Sequence, residues 1–279
     1  MIGLGSNRLT VCRRGGMSVT QAGRGGMEWL GVRAPLWAQW WLPYSRQAGE
    51  ALKAQFPTQW PTIRDYGFAH PEYIAAINFA APQDPEIMYS LIPTLGKVRK
   101  ITGDGTSYLL TNTYIKDTWR FVSDIKLAAN AGNFWEGMYV DNESKFLWGR
   151  YGGQGRIYFI SSRAGDQPNT SVSDSTYYIV DFDGKAKTLK LNSTTYNLNG
   201  TTNGRVQPYP FALFSENDGD VYGSYMKGER TFAEFYDENG VLKARWIPCK
   251  HDGQNGMLDI LSATFTGNNG FTISETPAS

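Results

Sequence analysis

The chain has 279 residues, 41% of them hydrophobic and 14% aromatic, and a net charge of +1. That is enough to bury one large core or two small ones, and it argues against global disorder. The near-neutral balance does not suit a dedicated nucleic-acid binder, and two cysteines with two histidines cannot supply a disulfide framework, a cysteine-rich zinc site or a multi-histidine metal centre.

The chain changes character near Leu95. Residues 1–94 are rich in Gly, Arg, Trp and Pro, and are expected to be a largely irregular anchoring segment with one or two short helices. The doublets Gly15-Gly16 and Gly25-Gly26 make a regular element entropically costly. Residues 1–53 hold seven bases and two acids, which leaves 20 bases and 24 acids for the rest, so a basic arm precedes a mildly acidic body. Arg13, Arg14, Trp29, Trp37, Trp40 and Trp41 are the candidates for anchoring a partner protein, since Trp offers large apolar area with few rotamers. The same tryptophans can instead pack on the body of their own chain, and the sequence leaves both readings open. Ser45 is a fitting N-cap for a helix over 45–55, and a second short helix is expected over 71–78. Six prolines between 57 and 93 predict irregular structure for the remainder of 57–94. No stretch approaches the ~20 apolar residues of a membrane span, and no secretion signal opens the chain. A soluble product made in a cytoplasm is therefore expected.

From Val98 onward the pattern is β. Strands are expected over 108–111, 119–127, 134–140, 145–150, 156–160, 176–182, 188–191, 195–198, 211–214, 223–226, 230–236 and 242–247. Asp183-Gly184 and Asn239-Gly240 read as two-residue hairpin turns, the latter of type I′, and Pro248 is expected to end its strand. A dozen short strands with no helical period predict an all-β, antiparallel two-sheet sandwich over 95–279.

Three runs in this region carry a family resemblance: VRKITGDGTSYLLT at 98–111, DTWRFVSDIK at 117–126, and TFAEFYDENGVLKARWIPC at 231–249 leading into DGQNGMLDI at 252–260. In order and spacing they resemble the concanavalin A-like lectin/glucanase superfamily, the laminin-G-like jelly rolls. More narrowly, they resemble the version found in tailed-phage and prophage structural proteins of gut bacteria. The resemblance covers about residues 96–275. It implies a jelly roll displayed on a virion for host recognition, anchored to other virion proteins by its N-terminal segment and homo-oligomeric, a trimer by analogy. The competing readings are a carbohydrate-binding module of a bacterial surface system and a glycoside hydrolase.

The chemistry-bearing residues are sparse. The fold's hydrolases use a Glu-x-Asp-x-x-Glu run on one strand, and none is present. A carboxyl pair would have to come from tertiary structure, for instance Asp181 with Glu234. Cys249 and His251 lack a shown hydrogen bond, and Gly152-Gly153-Gln154-Gly155 precedes a strand rather than the helix a phosphate loop needs. No catalytic residue is therefore assigned and no enzyme activity is expected. Asn217, Asp218 and Asp220 are an oxygen-rich run that leaves calcium open as a cofactor. Trp135, Tyr139, Trp148, Tyr151, Tyr222 and Tyr225 are the candidate aromatic surfaces for a cell-surface glycan, although most aromatic residues of a sandwich are core. The arm's charge is too sparse for strong duplex binding, so its partner is expected to be a protein rather than nucleic acid.

Overall fold

The computed structural model describes residues 43–278, apart from 142–143, 152–155, 162–163, 167–169, 200–201, 203 and 220. Arg13, Arg14, Trp29, Trp37, Trp40, Trp41 and Asp220 lie outside the described residues. The chain divides into two compact units, Met1–Pro85 and Glu86–Ser279.

The described part of the first unit is helical. Helix α1 (Arg46–Gln55) starts at Ser45, whose side chain accepts from the Ala48 N–H. It buries Ala48, Gly49 and Leu52 on one face. Helix α2 (Trp60–Ala69) replaces the irregular chain expected here: Pro61 sits in its first turn, where no intrahelical N–H is required of it. Trp60 and Ile63 are buried, and Gly67 lets the helix approach Pro43 and Tyr44 closely. Tyr44 donates to the Ile63 carbonyl at 2.8 Å, and its ring lies 6.0 Å from that of Trp60. A 3₁₀ turn (Pro71–Tyr73) leads into α3 (Ile74–Ala80), which buries Ala76, Ile77 and Ala80. Among the described residues no helix is long and apolar enough to cross a membrane.

The second unit is built from nineteen described strands. In chain order the first ten are β1 (Lys97–Asp104), β2 (Leu109–Leu110), β3 (Arg120–Leu127), β4 (Phe134–Asp141), β5 (Ser144–Tyr151), β6 (Arg156–Ser161), β7 (Ala164–Asp166), β8 (Tyr177–Asp183), β9 (Thr188–Leu191) and β10 (Thr194–Asn197). The others are β11 (Ala212–Leu213), β12 (Glu216–Asp218), β13 (Val221–Gly223), β14 (Lys227–Arg230), β15 (Ala233–Tyr236), β16 (Leu242–His251), β17 (Gln254–Asp259), β18 (Thr264–Gly267) and β19 (Phe271–Pro277). The larger sheet runs β10-β9-β8-β3-β15-β16-β17-β18, and β14 also pairs with β3 and carries β1 and β19 beyond it. The smaller sheet runs β13-β12-β4-β5-β6-β7, with β11 joining β4 to β2. The pairs are antiparallel except β12 with β4, which is parallel. This is a two-sheet jelly-roll sandwich.

The core follows from strand alternation. Phe121, Ser123, Ile125 and Leu127 of β3 turn inward, as do Val180 and Phe182 of β8 and Ala233 and Phe235 of β15. Phe146 of β5 meets Phe182 edge-on at 4.9 Å, which couples the two sheets. Phe211 stacks on Phe121 at 5.1 Å and meets Phe235 at 5.0 Å. Each such ring contributes about 1.5–3 kcal/mol by burial. One charged pair also crosses the core: Arg230 of β14 donates to Glu136 of β4 at 2.5 Å, with both side chains fully buried.

Local details depart from the sequence reading. The turn after β15 is not type I′. Gly240 alone takes the left-handed conformation (φ +79°), and the Asp237 side chain accepts from the Asn239 and Val241 N–H groups. Gly184 is required not by a turn but by close approach, since a Cβ there would meet the Asp117 carbonyl at 2.0 Å; Lys187 supplies the positive φ of a longer loop. Strand β16 runs on through Pro248. Its pairing with β15 stops at Trp246, so at Pro248 the ladder continues to β17 and the missing N–H breaks no bond to β15. Residues 223–226 are not one strand, because Ser224 has φ +54° and breaks the extended run between β13 and β14. The strand expected over 230–236 is interrupted at Thr231 and Phe232, and that interruption builds the site.

Candidate functional site

Strand β3 has two partners in succession along one edge. Glu229 of β14 pairs with Lys126, and Ala233 of β15 pairs with Ser123. Between them Thr231 and Phe232 leave the ladder, and their N–H groups would be orphaned. Asp124 fills the gap. Its carboxylate accepts from the Thr231 N–H at 2.7 Å, the Thr231 hydroxyl at 2.9 Å and the Phe232 N–H at 3.1 Å. Burial pushes the Asp124 carboxyl up, with these donors and Arg230 acting in the opposite direction. The side chain is a structural plug in a broken ladder.

Asp124 is the floor of a groove of about 330 Å³ on the outer face of the larger sheet. One wall is Tyr177, Ile179 and Asn192; the other is Val98, Thr276 and Pro277. Register explains the arrangement. Asp124 lies opposite Ile179 and Lys126 opposite Tyr177, while Val98 lies opposite Thr276. Tyr177 and Ile179 have the opposite parity to the inward Val180 and Phe182, and are 44% and 41% exposed. Asn192 takes φ +53° in the turn between β9 and β10. Its Oδ1 accepts from the Ile179 N–H at 2.8 Å, which directs the remaining Nδ2 donors to solvent or ligand.

The adjoining cross-strand row is Tyr177, Lys126, Glu229 and Thr102. Glu229 binds both Lys100 and Lys126, the latter at 3.4 Å, and accepts from the Tyr177 hydroxyl at 3.3 Å. The Lys126 ammonium lies 5.3 Å from the Tyr177 ring centre. Burial raises the Tyr177 phenol, and the charges of Glu229 and Asp124 raise it further, so it stays a neutral donor. On the other side of the groove Arg120 grips Asp181 with two bonds of 2.7 and 2.8 Å. Glu234 accepts from the Tyr236 hydroxyl and pairs with Arg245 at 3.4 Å. Asp181 and Glu234 both lie opposite Val122, so a whole strand separates them, about 10 Å at normal strand spacing. A retaining glycosidase needs its two carboxyls about 5–5.5 Å apart. Each of these acids is instead held by its own arginine. The groove can offer an aromatic edge and face, aliphatic walls, an amide and hydroxyls.

The aromatic residues singled out from the sequence are dispersed. Trp148 is fully buried, edge-on to Phe134 at 5.2 Å, so it is a core side chain and not a ligand surface. Its inward parity on β5, shared with Phe146, is the reason. Trp135 and Tyr139 are half-buried on the outer face of the smaller sheet, the indole lying against Gly149. Tyr222 stacks on Tyr108 at 3.8 Å, and Tyr225 donates to the Tyr222 carbonyl at 3.0 Å. Tyr151 ends β5, and its side chain is outside the described set. None of these lines the groove.

The proposed calcium run also divides. Asn217 is buried, donating to the Pro210 carbonyl at 2.8 Å and accepting from the Gly219 N–H at 3.0 Å, so it holds a turn together. Asp218 is exposed. Among the described residues no three His, Cys, Asp or Glu side chains converge. The groove residues Tyr177, Ile179 and Asn192 were not singled out from the sequence. The signal available for two of them was apolar side chains at the solvent-facing positions of 177–182.

No family model matches the chain, and no curated protein does. Solved structures are similar in fold. A putative carbohydrate binding protein from Bacteroides ovatus superposes with a TM-score of 0.50 at 11% identity, over 66% of this chain and 62% of that one. The native heptameric SAP-like pentraxin from Limulus polyphemus superposes at 0.42 with 12% identity, over 63% of this chain and 94% of that one. The carbohydrate binding module CBM66 from Bacillus subtilis does so at 0.30 with 11% identity, over 50% and 83%.

Proposed function

We propose that the β-sandwich unit is a non-catalytic carbohydrate-binding module that holds a sugar in the groove between Tyr177 and Pro277. The observation that carries this reading is the Tyr177 ring, 44% exposed beside a groove of about 330 Å³ that mixes aliphatic walls with an amide and hydroxyls. A sugar has apolar C–H faces and a ring of hydroxyls, and such a surface matches both. The volume is at the small end of the ~300–1,000 Å³ of ligand pockets, which suits a terminal residue or a short oligosaccharide. The arginine-paired carboxylates on the same face support binding without turnover. The Bacteroides ovatus protein, which shares this fold, is described as a putative carbohydrate binding protein. The virion placement and the trimer implied by the family resemblance have no counterpart in these neighbours, and the proposal does without them.

Per-site affinity is expected to be weak, and linking several sites can raise it about 10²–10⁴-fold without new contacts. The test is Tyr177→Ala in the full chain, assayed against a glycan array and by titration with the best hit. Burying an aromatic side chain is worth about 1.5–3 kcal/mol, so at least about a tenfold loss is expected. Unchanged binding by this variant, or release of sugar from a polysaccharide by the wild type, would defeat the reading.

A further inference from the structure

The charges around the groove cancel, and its walls are aliphatic, and together these narrow the ligand. Lys100 and Lys126 share Glu229. Arg230, the cation behind Asp124, is committed to Glu136. Arg120 is committed to Asp181. Counting Asp124, these four cations and four carboxylates balance, and every cation among them has a carboxylate partner. An anionic sugar would meet the Asp124 carboxylate at the floor and would have to take a lysine from Glu229 to be neutralised, at the cost of a buried or half-buried unpaired charge. Ile179, Val98 and Pro277 meanwhile present carbon on both walls, and a hydroxyl placed against them would lose its water without a partner. The Asn192 amide donors lie on one side of this carbon, able to reach a hydroxyl or an acyl oxygen.

We propose, building on the carbohydrate-binding reading above, that the groove selects a neutral sugar residue bearing a methyl group, the methyl seated against the aliphatic wall at Ile179. The two common sources of that chemistry are a deoxyhexose and an N-acetylhexosamine. In both, the ring packs beside Tyr177 and the methyl replaces water at the aliphatic walls. An acetamido group would in addition give the Asn192 amide a carbonyl oxygen to donate to.

The experiment titrates the full chain with matched probes: L-fucose against L-galactose, N-acetylglucosamine against glucose, and glucuronate as the acidic arm. A buried methyl(ene) is worth about 0.8 kcal/mol, so each methyl-bearing sugar should bind about fourfold tighter than its partner. Preference in the first pair alone identifies the deoxyhexose source, and preference in the second alone the acetamido source; either supports the proposal. Affinity should be flat between about 50 mM and 500 mM salt, because a neutral ligand has no charge to screen. Ile179→Thr should erase the methyl preference while keeping residual sugar binding, since position 179 is exposed and its loss does not open the core. Sugar binding with no methyl preference, or tighter binding of glucuronate with a steep salt dependence, would overturn this inference and leave the carbohydrate-binding reading standing. No binding of any probe, by the chain or by a multivalent display of it, would overturn both.

Discussion

The buried pair between Arg230 and Glu136 makes a quantitative prediction about the sandwich. It joins β14 of one sheet to β4 of the other, and neither side chain has any exposed surface, so no bulk water is at hand to replace a lost partner. The guanidinium also lies 4.7 Å from the Phe214 ring centre. Arg230 Nε and Nη1 and Glu136 Oε2 have no protein hydrogen-bond partner, so the pair is only partly satisfied. Glu136→Leu strands the arginine charge in the core, and removing one partner of a buried pair costs about 3–5 kcal/mol. That is a large part of the ~5–15 kcal/mol by which a domain is stable. Replacing both residues, Glu136→Leu with Arg230→Met, removes the desolvated charges together. An incompletely hydrogen-bonded pair should then be nearly dispensable, with the double variant within about 1 kcal/mol of wild type or more stable. The assay is urea unfolding of the full chain followed by tryptophan fluorescence, analysed as a double-mutant cycle. A single substitution costing less than about 1 kcal/mol would show that water or backbone takes over the charge. A double variant less stable than either single variant would refute the view that the pair is dispensable for stability.

Three further outcomes are expected from the same structure. Trp148→Ala should destabilise the chain by about 3–5 kcal/mol as a core truncation, with sugar affinity of the remaining folded protein unchanged; lost affinity at unchanged melting temperature would return this residue to the surface. Asn217→Ala should cost about 1–3 kcal/mol by orphaning the Gly219 N–H and the Pro210 carbonyl, and added calcium should move the melting temperature of neither protein; a calcium-dependent rise lost in the variant would restore the metal site. Arg150, 2.5 Å away, and the Asn130 N–H hold the Asp174 carboxyl below the ordinary carboxylate range. A depressed folded pKa stabilises above the unfolded value of about 3.9 and is lost as pH falls through the folded one. The melting-temperature difference between wild type and Asp174→Asn should therefore be constant from neutrality to about pH 4 and shrink below it, and a difference that persists undiminished at lower pH would contradict the assignment.

Much of the sandwich was legible because strand alternation is a local property. Phe121, Ile125 and Leu127 declare one face of β3 within eight residues, and the β8 run declares Val180 and Phe182 in the same way. The Ser45 cap was legible for the same reason, being a contact between residues three apart. Turn type was less so, since Asp237 satisfies the hairpin with its own side chain and relieves Asn239 of a positive φ. The helix at Trp60–Ala69 was missed because Pro61 reads as a breaker until its position in the first turn is known.

The groove was out of reach of the sequence. It exists because β14 and β15 share one neighbour and leave a gap at Thr231 and Phe232, which a carboxylate 107 residues earlier in the chain fills. Tyr177 and Pro277 come to line one groove only after β8, β3, β14, β1 and β19 have paired. Which aromatic residues are exposed had the same dependence. Trp148 and Trp135 are both tryptophans on adjacent strands of one sheet, yet the sandwich buries one and half-exposes the other by parity. A sequence can state which side chains share a face of a strand. Which of the two faces meets the other sheet, and what lies across a groove on it, is decided by the pairing of distant strands, a long-range contact that local alternation does not encode.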